Sequence, residues 1–234
     1  MKKRNSKRKK SKLLIVIIIL VLFLVLKEKV NFSYKFNIGE YTNRNYNGIG
    51  KIEENEKDGY NSIFITEEQN KKEYIEYIQG ANASWAQKAY WGGTMEENGC
   101  GITCIAIIAS GYGKNITPED LRIKYSPHLD GEDMSDALKN IGIENSDFCF
   151  SEIYFRKDYI LEHLEENKPI LICVWDKPDT RWTEKSHYMV LLATDGKNKI
   201  YVSNPNGEKQ KSPSGWYSTE KILPYIAKAM FIEE

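Results

Sequence analysis

The stretch Asn98-Gly99-Cys100-Gly101-Ile102-Thr103-Cys104-Ile105-Ala106-Ile107-Ile108-Ala109 decides how this chain is read. From Ile102 onward it is almost wholly apolar, as a helix buried on all sides requires. The helix is expected over Cys100 to Ser110, closed by Gly111, and the glycines before it read as a tight turn. A thiol at that junction would lie at a helix N-terminus, where unpaired N–H groups and the helix dipole stabilise a thiolate. The same N–H groups can hold an oxyanion. The string therefore offers a nucleophile and a place for the charge it creates, provided that the chain supplies a base.

Around that helix the first half reads helical. A short helix is expected over Asn82 to Tyr90, with Trp85 and Ala89 on one face. Thr117-Pro118-Glu119-Asp120 reads as a helix start, with Thr as N-cap, Pro at the first position and acids in the first turn. Further helices are expected over Asp133 to Asn140, ended by Gly142, and over Asp158 to Asn167. The second half turns to strands. Pro169 to Trp175 and His187 to Thr194 are apolar runs, and Asp195-Gly196 turns the chain into a third strand over Lys199 to Ser203. Ser218 to Ala227 reads as a short helix and Ala229 to Ile232 as a closing strand. Helices followed by an antiparallel sheet make an α+β domain.

A base and its orienting partner must come from few candidates. Of three histidines, His128 lies in a loop and could line the cleft. His163 lies on a charged helix face and is expected to be solvated. His187 opens a buried strand, which gives a rigid support with an open side, so it is the best base by position. In a tight hairpin the start of one strand lies beside the end of the next. His187 and Asn204 should therefore be neighbours, with Pro205 fixing the chain's exit. Gln79 and Gln87 both lie upstream as possible oxyanion donors, and spacing does not choose between them.

The chain has 234 residues, 41% of them hydrophobic, enough for one compact domain with a real core. Eight of the 33 basic residues fall in 1–12, which has no acid; the rest holds 25 basic against 33 acidic residues. An acidic body argues against nucleic acid as a partner. Leu13 to Leu26 is an unbroken apolar run of 14 residues. As a helix it spans about 21 Å against a hydrocarbon core of about 30 Å, with Lys12 and Lys27 able to snorkel. No small-residue cleavage site follows it, so an uncleaved signal anchor is the better reading and a cleaved signal peptide the alternative. The basic patch keeps residues 1–12 in the cytoplasm and places the body outside it. Residues 27–72 read as a stalk or loosely ordered lead-in, and 73–234 as the compact domain.

Four cysteines without a C-x-x-C pair give no support to zinc-ribbon or thioredoxin readings. Cys104, Cys149 and Cys173 read as core thiols, although an extracellular setting permits a disulfide among them.

Five stretches, in order, resemble family thirty-nine of the papain-like cysteine peptidases, the bacteriocin-leader-processing group, and in particular its stand-alone bacterial branch. They are Tyr77-Ile78-Gln79 with Trp85-Ala86; Asn98-Gly99-Cys100-Gly101-Ile102-Thr103; Gly113-Lys114-Asn115-Ile116-Thr117-Pro118; Ser186-His187-Tyr188-Met189-Val190-Leu191; and Ile200-Tyr201-Val202-Ser203-Asn204-Pro205-Asn206. The resemblance spans roughly 74–232. It implies a papain-like fold, with Cys100 as nucleophile, His187 as general base and Gln79, in preference to Gln87, as the oxyanion glutamine. The family usually has Asp before the Pro where this chain has Asn204. A neutral partner there stabilises a thiolate–imidazolium pair less than a carboxylate does. Ile102 stands where a Pro is frequent. No metal or organic cofactor is implied.

The expected function is that of an extracytoplasmic, membrane-anchored cysteine peptidase acting on a peptide or protein substrate. Acyl transfer to an amine uses the same residues and is one alternative. A non-catalytic surface domain that keeps the fold is another.

Overall fold

The computed structural model describes residues 52–55, 60–66, 71–80, 83–129, 131–175, 182–183, 185–206 and 212–233. The basic tail, the apolar run 13–26 and most of the polar loop 176–185 lie outside them. No helix among the described residues is long and apolar enough to cross a membrane.

Strands β1 (Ile52–Asn55), β2 (Tyr60–Thr66) and β3 (Lys71–Tyr77) form an antiparallel meander in the order β1-β2-β3. This corrects the expected loose lead-in over 27–72 for its second half. The Lys, Glu and Asn content of that stretch hides a short run, Ile63-Phe64-Ile65, whose residue types favour strands. Strand β3 carries the burial, through Tyr74, Glu76 and Tyr77.

The helix expected over Asn82 to Tyr90 is not formed. Residues 83–88 make successive turns, with Ala86 N–H donating to Ala83 O at 3.0 Å and Lys88 N–H to Trp85 O at 2.9 Å. A helix through Tyr90 would need the Ala86 carbonyl for the Tyr90 N–H, but it accepts from Glu96 N–H at 2.9 Å, and the Lys88 carbonyl accepts from Met95 N–H at the same distance. The Trp85 indole is drawn away to Ile78 O at 2.9 Å. Short strands β4 (Ala89–Tyr90) and β5 (Gly93–Thr94) follow.

Helix α1 (Met95–Asn98) runs into α2 (Cys100–Gly111), the helix that carries the cysteine. Every residue of α2 from Gly101 to Ala109 is buried, between β3 on one side and a five-stranded sheet on the other. Helix α3 (Pro118–Lys124) starts as expected, its N-cap Thr117 sharing a reciprocal capping box with Asp120. Helices α4 (Gly131–Lys139) and α5 (Lys157–Glu165) lie within a residue or two of their expected bounds.

The main sheet is antiparallel throughout, in the order β10-β6-β7-β8-β9: β6 Ile170–Val174, β7 His187–Thr194, β8 Lys199–Ser203, β9 Gly215–Ser218 and β10 Ile226–Phe231. Its two faces are covered by separate cores. Leu171, Val190 and Met230 pack with α2, whereas Ile170, Ile172, Met189 and Leu191 pack with Ile160, Leu161 and Leu164 of α5. Burial on both faces explains why β6 and β7 are apolar runs rather than alternating ones. Strand β9 was not expected from the sequence. Ser218–Ala227, expected as one helix, holds α6 (Thr219–Ile222), a 3₁₀ turn at Leu223–Tyr225 and the start of β10. Pro224, which lacks an N–H, is in that turn.

Candidate active site

Cys100 is the first residue of α2 and is partly exposed, whereas the residues that follow it are buried. Gly99 ends α1 and begins α2 with φ −82°, so it is not there for a left-handed turn. It is there for space, since a Cβ on Gly99 would lie 2.5 Å from Met95 O and 2.9 Å from its Cε. A Cβ on Gly101 would run into the end of the Met134 side chain and lie 3.4 Å from the Tyr188 ring. The flanking glycines thus let the cysteine helix seat closely against its neighbours.

Burial raises the Cys100 thiol above its ordinary range. The N–H groups of Tyr188, Gly101 and Cys100 itself oppose that shift by pointing at the sulfur. The helix-terminal N–H groups act on the thiol as the sequence implies, but burial outweighs them. The Tyr188 peptide also places the sulfur beside the residue that follows His187.

His187 is buried at the start of β7. Its Nε2 lies 2.8 Å from Asn204 Oδ1, the contact that the hairpin argument anticipates. The orientation of the Asn204 amide is fixed by backbone on both sides. Oδ1 accepts from Asn206 N–H at 3.1 Å, and Nδ2 donates to Ser212 O at 2.7 Å. Oδ1 is therefore an acceptor, so His187 carries its proton on Nε2 and leaves Nδ1 as the basic nitrogen. Burial lowers the His187 pKa to about 4, with the Asn204 contact pulling it back up. A neutral imidazole of this tautomer can take a proton from a thiol.

Gln79 is buried and bridges two parts of the site. Its backbone N–H donates to Pro205 O at 2.7 Å and its Nε2 to Glu96 O at 2.8 Å. One amide hydrogen of Nε2 remains, and Oε1 is buried without a hydrogen-bond partner. Gln87 is exposed, its amide bonded to the Glu96 carboxylate at 2.7 Å. Of the two glutamines, only Gln79 joins the chain around Asn204.

The other candidates separate cleanly. All four cysteines are free. Cys104 and Cys173 are buried, as expected of core thiols, but Cys149 is only partly buried, where it bridges to Ala229. The Cys173 sulfur is within electrostatic reach of Cys100, and burial pushes its pKa up to about 11. His163 is half-buried rather than solvated, edge-on to Phe231 at 5.0 Å, because the strand β10 ring covers that side of α5. His128 is exposed and stacked on Trp91 at 5.3 Å.

Several residues around the site escape sequence reasoning. Glu76 is a buried carboxyl in contact with the hydroxyls next to Asn204. Its two-residue spacing from Tyr74 on β3 is the signal that it shares a buried face. Ser212 and Ser214, eight and ten residues further along the chain, also bond Asn204, and no sequence signal points to them. Lys228 of β10, opposite Cys173, lies 4.4 Å above the Phe148 ring and 5.2 Å from that of Tyr188.

A helix N-terminal cysteine packed on an antiparallel sheet that carries His and Asn is an α+β arrangement of papain-like cysteine-peptidase type. Residues 89–215, more than half of the chain, match the model of the Peptidase C39 family. The chain belongs to that family, which makes cysteine peptidase its class of enzyme. The matched stretch holds Cys100, His187 and Asn204, and Gln79 precedes it. Among solved structures, the chain is similar to one from Bacillus anthracis described as a C39-like peptidase. The identity is 12% and the TM-score 0.44, over 59% of this chain and 90% of that one. No curated protein matches the chain.

Proposed function

We propose that the chain is a membrane-anchored peptidase that hydrolyses a peptide or other amide bond outside the cytoplasm through Cys100, His187 and Asn204. Cys100 Sγ attacks the carbonyl carbon while its proton passes to His187 Nδ1. The oxyanion is held by the Cys100 backbone N–H and by the remaining amide hydrogen of Gln79. Collapse breaks the C–N bond, and Nδ1 returns the proton to the departing amine. Water, deprotonated by His187, then cleaves the thioester and frees the acid and the thiol. Asn204 keeps the imidazole in the Nε2–H tautomer throughout. The proposal rests above all on the Asn204 amide, which its backbone partners hold with the oxygen toward His187. Location outside the cytoplasm rests on the basic patch in 1–12 and the apolar run 13–26.

The test is incubation of the protein with a peptide library and mass analysis of the products. Cleavage by the wild type and none by Cys100→Ala is expected; equal cleavage by the variant overturns the assignment. Protease added to intact cells should remove the domain and leave a short membrane-bound N-terminal fragment. A domain fully protected in intact cells overturns the topology.

A further inference from the structure

We propose that Lys228 is an anion-binding subsite of the Cys100 site, so that the favoured substrates carry a carboxylate within about three residues of the bond that is cut. The inference rests on the reading of Cys100 as the nucleophile, and it names the kind of substrate which that reading leaves open.

Neighbouring strands bring Lys228 there. Lys228 of β10 pairs with Cys173 of β6, and Cys173 pairs with Tyr188 of β7. Directly paired residues share a face of the sheet. The three therefore form a row across the end of the sheet at which β7 begins with His187. That face is the one covered by α2, since Leu171, Val190 and Met230, two residues away in each strand, pack in its core. A register shift between Ile226 and Lys228 sets this placement. Ile226 packs on the opposite face, in the core of α5. Strict alternation would send Lys228 to the same side as Ile226, and the extra residue turns it toward α2 instead.

The row ends beside the nucleophile. A Cβ on Gly101 would lie 3.4 Å from the Tyr188 ring. Lys228 Nζ lies 5.2 Å from the centre of that ring and 4.4 Å from that of Phe148. The ammonium is thus framed by two rings, within about three residues of extended peptide from the cysteine, at about 3.4 Å per residue.

What the ammonium lacks is an anion. Lys228 is half-exposed and forms no ion pair among the described residues. Ring faces stabilise a cation without neutralising it. Large apolar side chains beside it are also open to solvent. Trp175 follows Val174, the strand partner of His187, and is 56% exposed. Phe150, two residues past Phe148, is 69% exposed. Exposed rings around one unpaired cation at the active end of the sheet suit a peptide that lies on the rings and gives its carboxylate to Lys228. That carboxylate can belong to an acidic side chain or to a free chain end.

The test alkylates Cys100 in the full chain with three probes of nearly equal size. N-iodoacetyl-glutamine amide is neutral, N-iodoacetyl-glutamate α-amide is acidic on its side chain, and N-iodoacetyl-glutamine is acidic at its chain end. Rates are read at the Cys100 peptide by mass spectrometry. At least one acid should react about three- to tenfold faster than the neutral probe, the worth of one half-exposed ion pair. Which acid does so tells a side-chain carboxylate from a terminal one. Lys228→Met should bring the ratio to one or below, Lys228→Arg should keep it, and about 1 M salt should abolish it in the wild type. Acids no faster than the neutral probe in the wild type, or a preference that persists in Lys228→Met, overturn the proposal. If Lys228→Met does not fold, a preference that survives the salt overturns it. A Cys100 that reacts with neither these probes nor iodoacetamide overturns the proposed function instead, so the two failures are distinguishable.

Discussion

Asn204 offers His187 its oxygen, not its nitrogen, at 2.8 Å, because its Nδ2 is committed to the carbonyl of Ser212. This explains how an Asn serves in a position where the resembling family commonly has Asp. The Ser212 carbonyl needs a donor, and a carboxylate has none. Asn204→Asp should therefore set a carboxylate oxygen against that carbonyl and destabilise the protein by about 1–3 kcal/mol at neutral pH. Urea denaturation measures this, and an unchanged or higher stability contradicts the role given to Nδ2.

Burial moves Cys100 up and His187 down, so at neutral pH the resting pair is a thiol beside a neutral imidazole. With neutral His187 as the base, the rate of Cys100 alkylation should stay nearly level from about pH 5 to neutrality and fall as His187 protonates near pH 4. A rate that climbs about tenfold per unit through that range would instead show that the thiol ionises without help from His187.

Glu76 also makes stability depend on pH. Its carboxyl titrates near 4.5 when unperturbed and near 7 in the fold. Between those values the folded state binds the extra proton. Stability is therefore highest below about pH 4.5 on this account and is lost as pH rises to about 7, then levels off. Glu76→Gln should remove that slope. Denaturation midpoints across pH that fall equally in wild type and variant assign the slope elsewhere.

The glycines that flank Cys100 should differ in tolerance. Gly99→Ala meets the Met95 carbonyl, which belongs to the backbone and cannot swing aside. It should cost about 1–3 kcal/mol. Gly101→Ala meets the flexible end of Met134 and should cost less. Equal costs in denaturation would show that Met134 is held as rigidly as the backbone.

How much of this was legible in the sequence follows from where each signal is stored. Strands His187–Thr194 and Lys199–Ser203 were readable to the residue, because apolar runs and the Asp195-Gly196 turn are local features. That turn also brought His187 to Asn204 without any tertiary information. Thr117 announced its helix through its own capping box. The helix expected at Asn82–Tyr90 has the right residues, but α1, which lies beyond it in sequence, takes the Ala86 carbonyl that its last turn needs. The strands within 52–72 were lost in a polar composition. His163 read as solvated because its covering ring, Phe231, lies 68 residues further along the chain. Ser212 and Ser214 meet Asn204 only when the chain before β9 comes back to the end of β8, a relationship with no local signature.

The central claim is that His187 activates Cys100. Its most direct test compares iodoacetamide alkylation of Cys100 in wild type and His187→Ala at neutral pH, with the Cys104, Cys149 and Cys173 peptides read in the same spectra. Cys100 should be the fastest of the four thiols in the wild type, and loss of the general base should slow it by about a hundredfold while the others stay unchanged. A folded His187→Ala protein whose Cys100 reacts at the wild-type rate would contradict the account.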